Sequence, residues 1–109
     1  MRDYYNFYEG ILKDIENGLK DEIRTETLAD RYSISRTHLQ RLFKYEFRQN
    51  IGSYIRSRKL AASIEELKNT ELDILDIVLE YGFEHEQSYK ELLKKNWESP
   101  LVIYEKRIK

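Results

Sequence analysis

The sequence predicts an all-α fold in which a two-helix unit occurs twice. Three observations carry this. Apolar residues recur at helical spacing along the whole chain, and no stretch reads as a credible strand. Only one Pro and four Gly punctuate 109 residues, too few for the turns of a sheet. The chain also repeats itself. An offset of 50 positions pairs Leu39 with Tyr89, Phe43 with Leu93, Lys44 with Lys94 and Phe47 with Trp97. The same offset pairs Ile51 with Leu101 and Tyr54 with Tyr104, while an offset of 49 pairs Leu28 with Ile77, Ala29 with Val78 and Ile34 with Phe83. A short helix, a tight turn, a longer helix and a following helix thus occur twice. The one-residue change of offset places an extra residue at the start of the sixth helix. Two helices joined by a turn of about 3–4 residues form a helix-turn-helix unit, although a plain helical hairpin, repeated, gives the same pattern.

The first helix follows from Tyr4, Phe7, Tyr8, Ile11, Leu12, Ile15 and Leu19, with Asp3 as its expected cap and Gly18 near its end. Thr25 is the expected N-cap of a short second helix through Leu28, Ala29 and Tyr32. Ser33-Ile34-Ser35 breaks the chain, and Ser35 caps a third helix whose inner face is Leu39, Leu42, Phe43 and Phe47. Asn50 opens the fourth, with Tyr54, Ile55, Leu60, Ile64 and Leu67 as its stripe and Ala61-Ala62 allowing close packing. Asp73 caps a short fifth helix through Ile74, Ile77, Val78 and Tyr81, and Gly82 ends it in the left-handed region. Tyr89, Leu92, Leu93 and Trp97 face inward from the sixth. Ser99-Pro100 starts a seventh, with Leu101, Tyr104 and Ile108.

Composition excludes several function classes. Hydrophobic residues are 40 % of the chain and charged residues 36 %, enough for a core and a well-solvated surface. Nine Tyr and four Phe argue against disorder. No apolar run reaches the roughly 18 residues of a membrane span, and no signal segment opens the chain. With no Cys there is no disulfide, thiolate metal site or Cys nucleophile. His38 and His85 lie in different units, and no HExxH, phosphate loop or Ser/His/Asp pattern is present. A cytoplasmic protein without cofactor, metal or enzymatic activity is expected. The net charge of −1 is unevenly spread. Residues 1–22 carry 3 basic and 6 acidic side chains, residues 23–68 carry 10 and 5, and residues 69–109 carry 6 and 9. A basic middle lies between two acidic flanks.

Within that basic middle, Ala29, Ser35, Leu39, Arg41 and Phe43 stand as A-x5-S-x3-L-x-R-x-F, followed by Lys44. Beyond them come YIRSRKL at 54–60, Ile74 and Ile77, Gly82-Phe83, Pro100 and Tyr104. As a set, these residues resemble the DNA-binding domain of the AraC/XylS family of bacterial transcription regulators. HLQRLFK together with IGSYIRSRKL is similar to its MarA/Rob/SoxS-like branch. The resemblance covers roughly residues 5–105. It implies seven helices forming two helix-turn-helix subdomains joined by a long linking helix. The expected division is a first subdomain over 1–50, the linking helix over 51–68 and a second subdomain over 69–109. The third and sixth helices would enter successive major grooves of double-stranded DNA. RNA polymerase enters as a candidate protein partner. A stand-alone regulator and a domain whose sensor lies outside this chain both remain open.

The inward positions of the third helix leave Arg36, Thr37, Gln40, Arg41 and Lys44 outward. Arg suits guanine O6/N7 and Gln suits adenine N6/N7, each in a bidentate pair. Ser35 and the first-turn N–H groups suit a phosphate. Arg56, Arg58 and Lys59 either extend this footprint or, in the case of Arg58, pair with an acid and hold the two units in register. In the sixth helix, Gln87, Ser88, Lys90 and Lys94 suit bases or phosphates. Glu86 and Glu91 do so only by accepting from cytosine N4, and both alternatively stabilise the helix through pairs with Lys90 and Lys95.

The chain departs from the family pattern at four places. Arg48 and Ser33 stand where Gly or another small residue is usual, Glu84 and His85 open the sixth helix, and Glu91 stands where Arg is often found. An asymmetric DNA reader follows, with the first unit dominant. The rival expectation is a protein-interaction helical module of the same fold whose DNA binding is weak or lost.

Overall fold

The apolar stripe at the start of the chain folds as α1 (Tyr5–Asn17), which buries Ile11 and Ile15. The computed structural model describes residues 4–96. Asp3, Trp97 and the seventh helix expected from Ser99-Pro100 lie outside them. Five further helices follow among the described residues: α2 (Thr25–Arg31), α3 (Arg36–Phe47), α4 (Ile51–Asn69), α5 (Ile74–Glu80) and α6 (Glu86–Asn96). The chain divides into two compact units, residues 1–58 and 59–109, with the boundary inside α4.

In the first unit the core is built from Ile11, Ile15, Leu19, Leu28, Ala29, Leu39, Phe43, Ile51 and Ile55, all buried. Rings extend it: Phe43 meets Phe47 at 4.5 Å and Tyr54 at 5.4 Å, and Phe7 meets Tyr32 edge-on at 5.3 Å between centroids. Tyr4 departs from the inward stripe and is 44 % exposed. Arg58 forms a bidentate pair with Glu16, Nε to Oε2 at 2.6 Å and Nη2 to Oε1 at 2.9 Å, tying α4 to α1. The second unit buries Leu60, Ile64, Leu67, Ile74, Ile77, Val78, Tyr81, Tyr89 and Leu93. Ser63, fully buried, donates to Leu60 O at 2.7 Å, so the 2.8 Å contact between its Oγ and Tyr89 is a bond donated by the phenol.

The helix starts follow their caps. Ser35 Oγ accepts from His38 N at 3.0 Å, Asn50 Oδ1 from Ser53 N at 2.8 Å, and Asp73 Oδ1 from Leu75 N at 2.9 Å. Thr25 is a correction. Arg24, in extended conformation, occupies the N-cap, and Leu28 N bonds back to its carbonyl at 3.1 Å. Thr25 is the first helical residue, so its hydroxyl does not cap.

The two turns are the same structure. In the first, Ile34 N bonds to Ala29 O at 3.2 Å and Ser33 N to Asp30 O at 3.1 Å. In the second, Phe83 N bonds to Val78 O at 3.1 Å and Gly82 N to Leu79 O at 3.0 Å. Both are Schellman closures, and each needs a left-handed residue just past the helix. Gly82 takes it at φ 85°, Ser33 at φ 57°. Arg48 ends α3 in the same region at φ 62°. Among the described residues, Ser33 and Arg48 are therefore the two non-glycine residues held in a conformation that disfavours a side chain.

Candidate nucleic-acid interface

The side chains expected on the outer face of α3 are there. Ser35, Arg36, Thr37, Gln40, Arg41 and Lys44 are all exposed. Burial of Leu39 and Phe43, both fully inaccessible, leaves α3 no other orientation. Thr37, Gln40, Arg41 and Lys44 line one open groove of about 670 Å³.

The rest of that groove comes from residues not expected at the interface: Thr25 of α2, Tyr45 of α3, and Asn50, Ile51 and Gly52 at the start of α4. Two helix starts therefore flank α3, with first-turn N–H groups suited to phosphate. The usable signal was the cap at Asn50, which marks a helix N-terminus next to a basic helix. At Gly52, an added Cβ would meet nothing nearer than Asn50 Oδ1 at 3.6 Å. The packing of the fold does not require glycine there.

Three arginines of this unit are paired with carboxylates. Arg31 pairs with Asp14 at 3.4 Å, Arg36 with Glu26 at 3.2 Å, and Arg58 with Glu16 at 2.6 Å. Among the described residues, no side-chain bond or ion pair engages Gln40, Arg41 or Lys44. Ser35 is occupied by capping, and Arg36 is turned to α2, so neither joins the groove set. The Glu26 carboxyl is held below its usual range by its own backbone N–H, with Arg36 and Arg24 adding to this. Glu16 is lowered chiefly by its bond from Arg58, which is thereby engaged within the first unit. Arg56 Nη2 lies 3.4 Å from Ser53 Oγ, one turn from the groove.

In the second unit, burial of Tyr89 and Leu93 turns Glu86, Gln87, Ser88, Glu91 and Lys94 outward, while Lys90 is half-buried. Glu91 accepts from Gln87 Nε2 at 3.4 Å, one turn back along α6. The helix thus presents one acid and one amide already engaged with each other. Among the described residues no cluster of three or more His, Cys, Asp or Glu is placed to hold a metal, and no helix is long and apolar enough to cross a membrane.

A family model described as a helix-turn-helix domain matches residues 28–104. The multiple antibiotic resistance protein MarA of Escherichia coli is 37 % identical over 90 residues, covering 83 % of this chain and 71 % of that protein. The probable transcription factor PqrA of Proteus vulgaris is 34 % identical over 94 residues, covering 84 % and 77 %. The right origin-binding protein of Escherichia coli is 34 % identical over 99 residues, covering 87 % of this chain but only 34 % of that protein. The chain belongs to the AraC/XylS family of helix-turn-helix transcription regulators, in its MarA/Rob-like branch.

Proposed function

We propose that this chain binds double-stranded DNA sequence-specifically, with α3 reading one major groove and α6 meeting the next more weakly. The observation that supports this most is the division among the first unit's polar residues. Three arginines are engaged by carboxylates of the same unit, while Gln40, Arg41 and Lys44 stand together on an open groove beside two helix starts. Gln40 and Arg41 read base edges, Thr37 adds a further contact, and Lys44 meets phosphate. Ser35 and Arg36 hold the start of α3 and reach DNA only if Arg36 exchanges Glu26 for phosphate. Gln87, Ser88, Lys90 and Lys94 supply the second contact, in which Glu86 and Glu91 oppose the polyanion except where cytosine N4 donates to one of them. The division of labour over 1–50, 51–68 and 69–109, and a place in the bacterial cytoplasm, belong to the same proposal.

A second reading is favoured by one feature of the second unit. Leu72, Leu75 and Leu79 are 48 %, 45 % and 51 % exposed beside Asp73 and Asp76. Such a surface suits a protein partner, RNA polymerase or a sensor domain among them. Selection of bound duplexes from a random pool, followed by Glu91→Arg, separates the two. A DNA reader enriches one strong half-site and binds it tighter after the substitution. An interaction module enriches nothing and stays without DNA affinity.

A further inference from the structure

A second hollow in the first unit shares no lining residue with the groove that carries Arg41. Its volume is about 530 Å³, within the roughly 300–1,000 Å³ of sites for small organic ligands. Tyr4, Tyr5, Tyr8, Leu12 and Phe47 line it, together with Glu9 and Glu46. Tyr4 and Tyr5 are 44 % and 67 % exposed, so part of each ring faces solvent. Tyr8 and Phe47 hold a fixed edge-on wall with centroids 5.5 Å apart, and Tyr4 stands 6.1 Å from Tyr8. Among the described residues, no Lys or Arg belongs to the lining.

Ring faces are negative and attract cations, most strongly where the cation is poorly hydrated. Two carboxylates at the same hollow add to that field. An anion would meet repulsion from both, and a small hydrated cation would gain nothing from the rings. We propose that this hollow binds a small lipophilic organic cation, its apolar groups against the Tyr and Phe rings and its charge beside Glu9 and Glu46. The Tyr8 hydroxyl is pushed above its usual range by burial first and by Glu46 second, which matches a negative surrounding. The site is independent of DNA reading, since its residues take no part in the groove that carries Arg41.

The test is calorimetric titration of the intact chain with tetraphenylphosphonium and, separately, with tetraphenylborate, an anion of the same shape. Saturable one-to-one binding of the cation alone is expected. The double variant Glu9→Gln/Glu46→Gln should weaken it at least tenfold, and Tyr5→Ala at least threefold, with helical circular dichroism unchanged. Equal binding of both ions would reduce the hollow to an apolar patch and overturn the proposal. So would cation binding that the double variant leaves intact, or no saturable binding at all.

Discussion

Replacing Gly10 by Ala should destabilise the first unit, although Ala is the better helix former. Gly10 lies inside α1, where the exchange alone is worth about 1 kcal/mol in favour of Ala. The structure opposes it. An added Cβ would lie 2.5 Å from the Tyr32 hydroxyl oxygen and 3.3 Å from the ring carbon that bears it. That hydroxyl donates to Asp14 Oδ2 at 2.9 Å, and the ring packs edge-on against Phe7 at 5.3 Å. Moving the ring loses a bond to a charged acceptor, about 1.5–3 kcal/mol, and part of an aromatic contact, about 0.5–1.5 kcal/mol. The net expectation is a loss of about 1–3 kcal/mol, lower in that range because Tyr32 is only half-buried. The assay is urea unfolding of both proteins at constant m-value. Tyr32→Phe removes the clashing oxygen, so Gly10→Ala in that background should be neutral or stabilising. A stabilised single variant, or an equal loss with and without the hydroxyl, would refute the reasoning.

Ser33→Gly should stabilise by about 0.5–1 kcal/mol, because relief of the left-handed strain exceeds glycine's extra chain entropy; a thermal melt that falls contradicts this. Glu16 has a folded pKa below its unfolded value because of Arg58. Its stabilisation is therefore present above the unfolded pKa, near 4.5, and is lost as pH falls through the folded one. Glu16→Gln should accordingly narrow the gap in urea midpoint between pH 7 and pH 3. Gly52→Ala should keep or slightly raise stability, since nothing in the fold meets the new methyl, while weakening DNA binding at the groove wall. A variant that binds the selected site as well as the parent would remove Gly52 from the interface.

Local chemistry made much of this legible. Ser35, Asn50 and Asp73 cap as expected because each is a short acceptor just before an apolar period. The offset that pairs Ile34 with Phe83 aligns the two turns, and the matching Schellman bonds give its physical basis. Thr25 misled because Thr is a good cap, whereas the extended backbone at Arg24 fixes the start one residue earlier. The partners of non-local pairs were not readable. Neither the capture of Arg36 by Glu26 nor that of Arg58 by Glu16 leaves a periodic trace, being 10 and 42 positions apart. The other walls of the reading groove likewise come from helices that only the folded chain brings alongside α3.

The reading role of Arg41 is the central claim, and the most direct measurement is affinity for a selected duplex as salt is varied, with and without Arg41→Ala. Phosphate contacts release counterions, so log K should fall with log salt by about 0.9 per phosphate neutralised. Arg41→Ala should cost about 1–3 kcal/mol on the selected site and relax preference at one base pair. It should leave binding to unrelated sequence much less affected. A slope near zero, or an Arg41→Ala protein that binds the site as tightly and as selectively as its parent, would contradict the account.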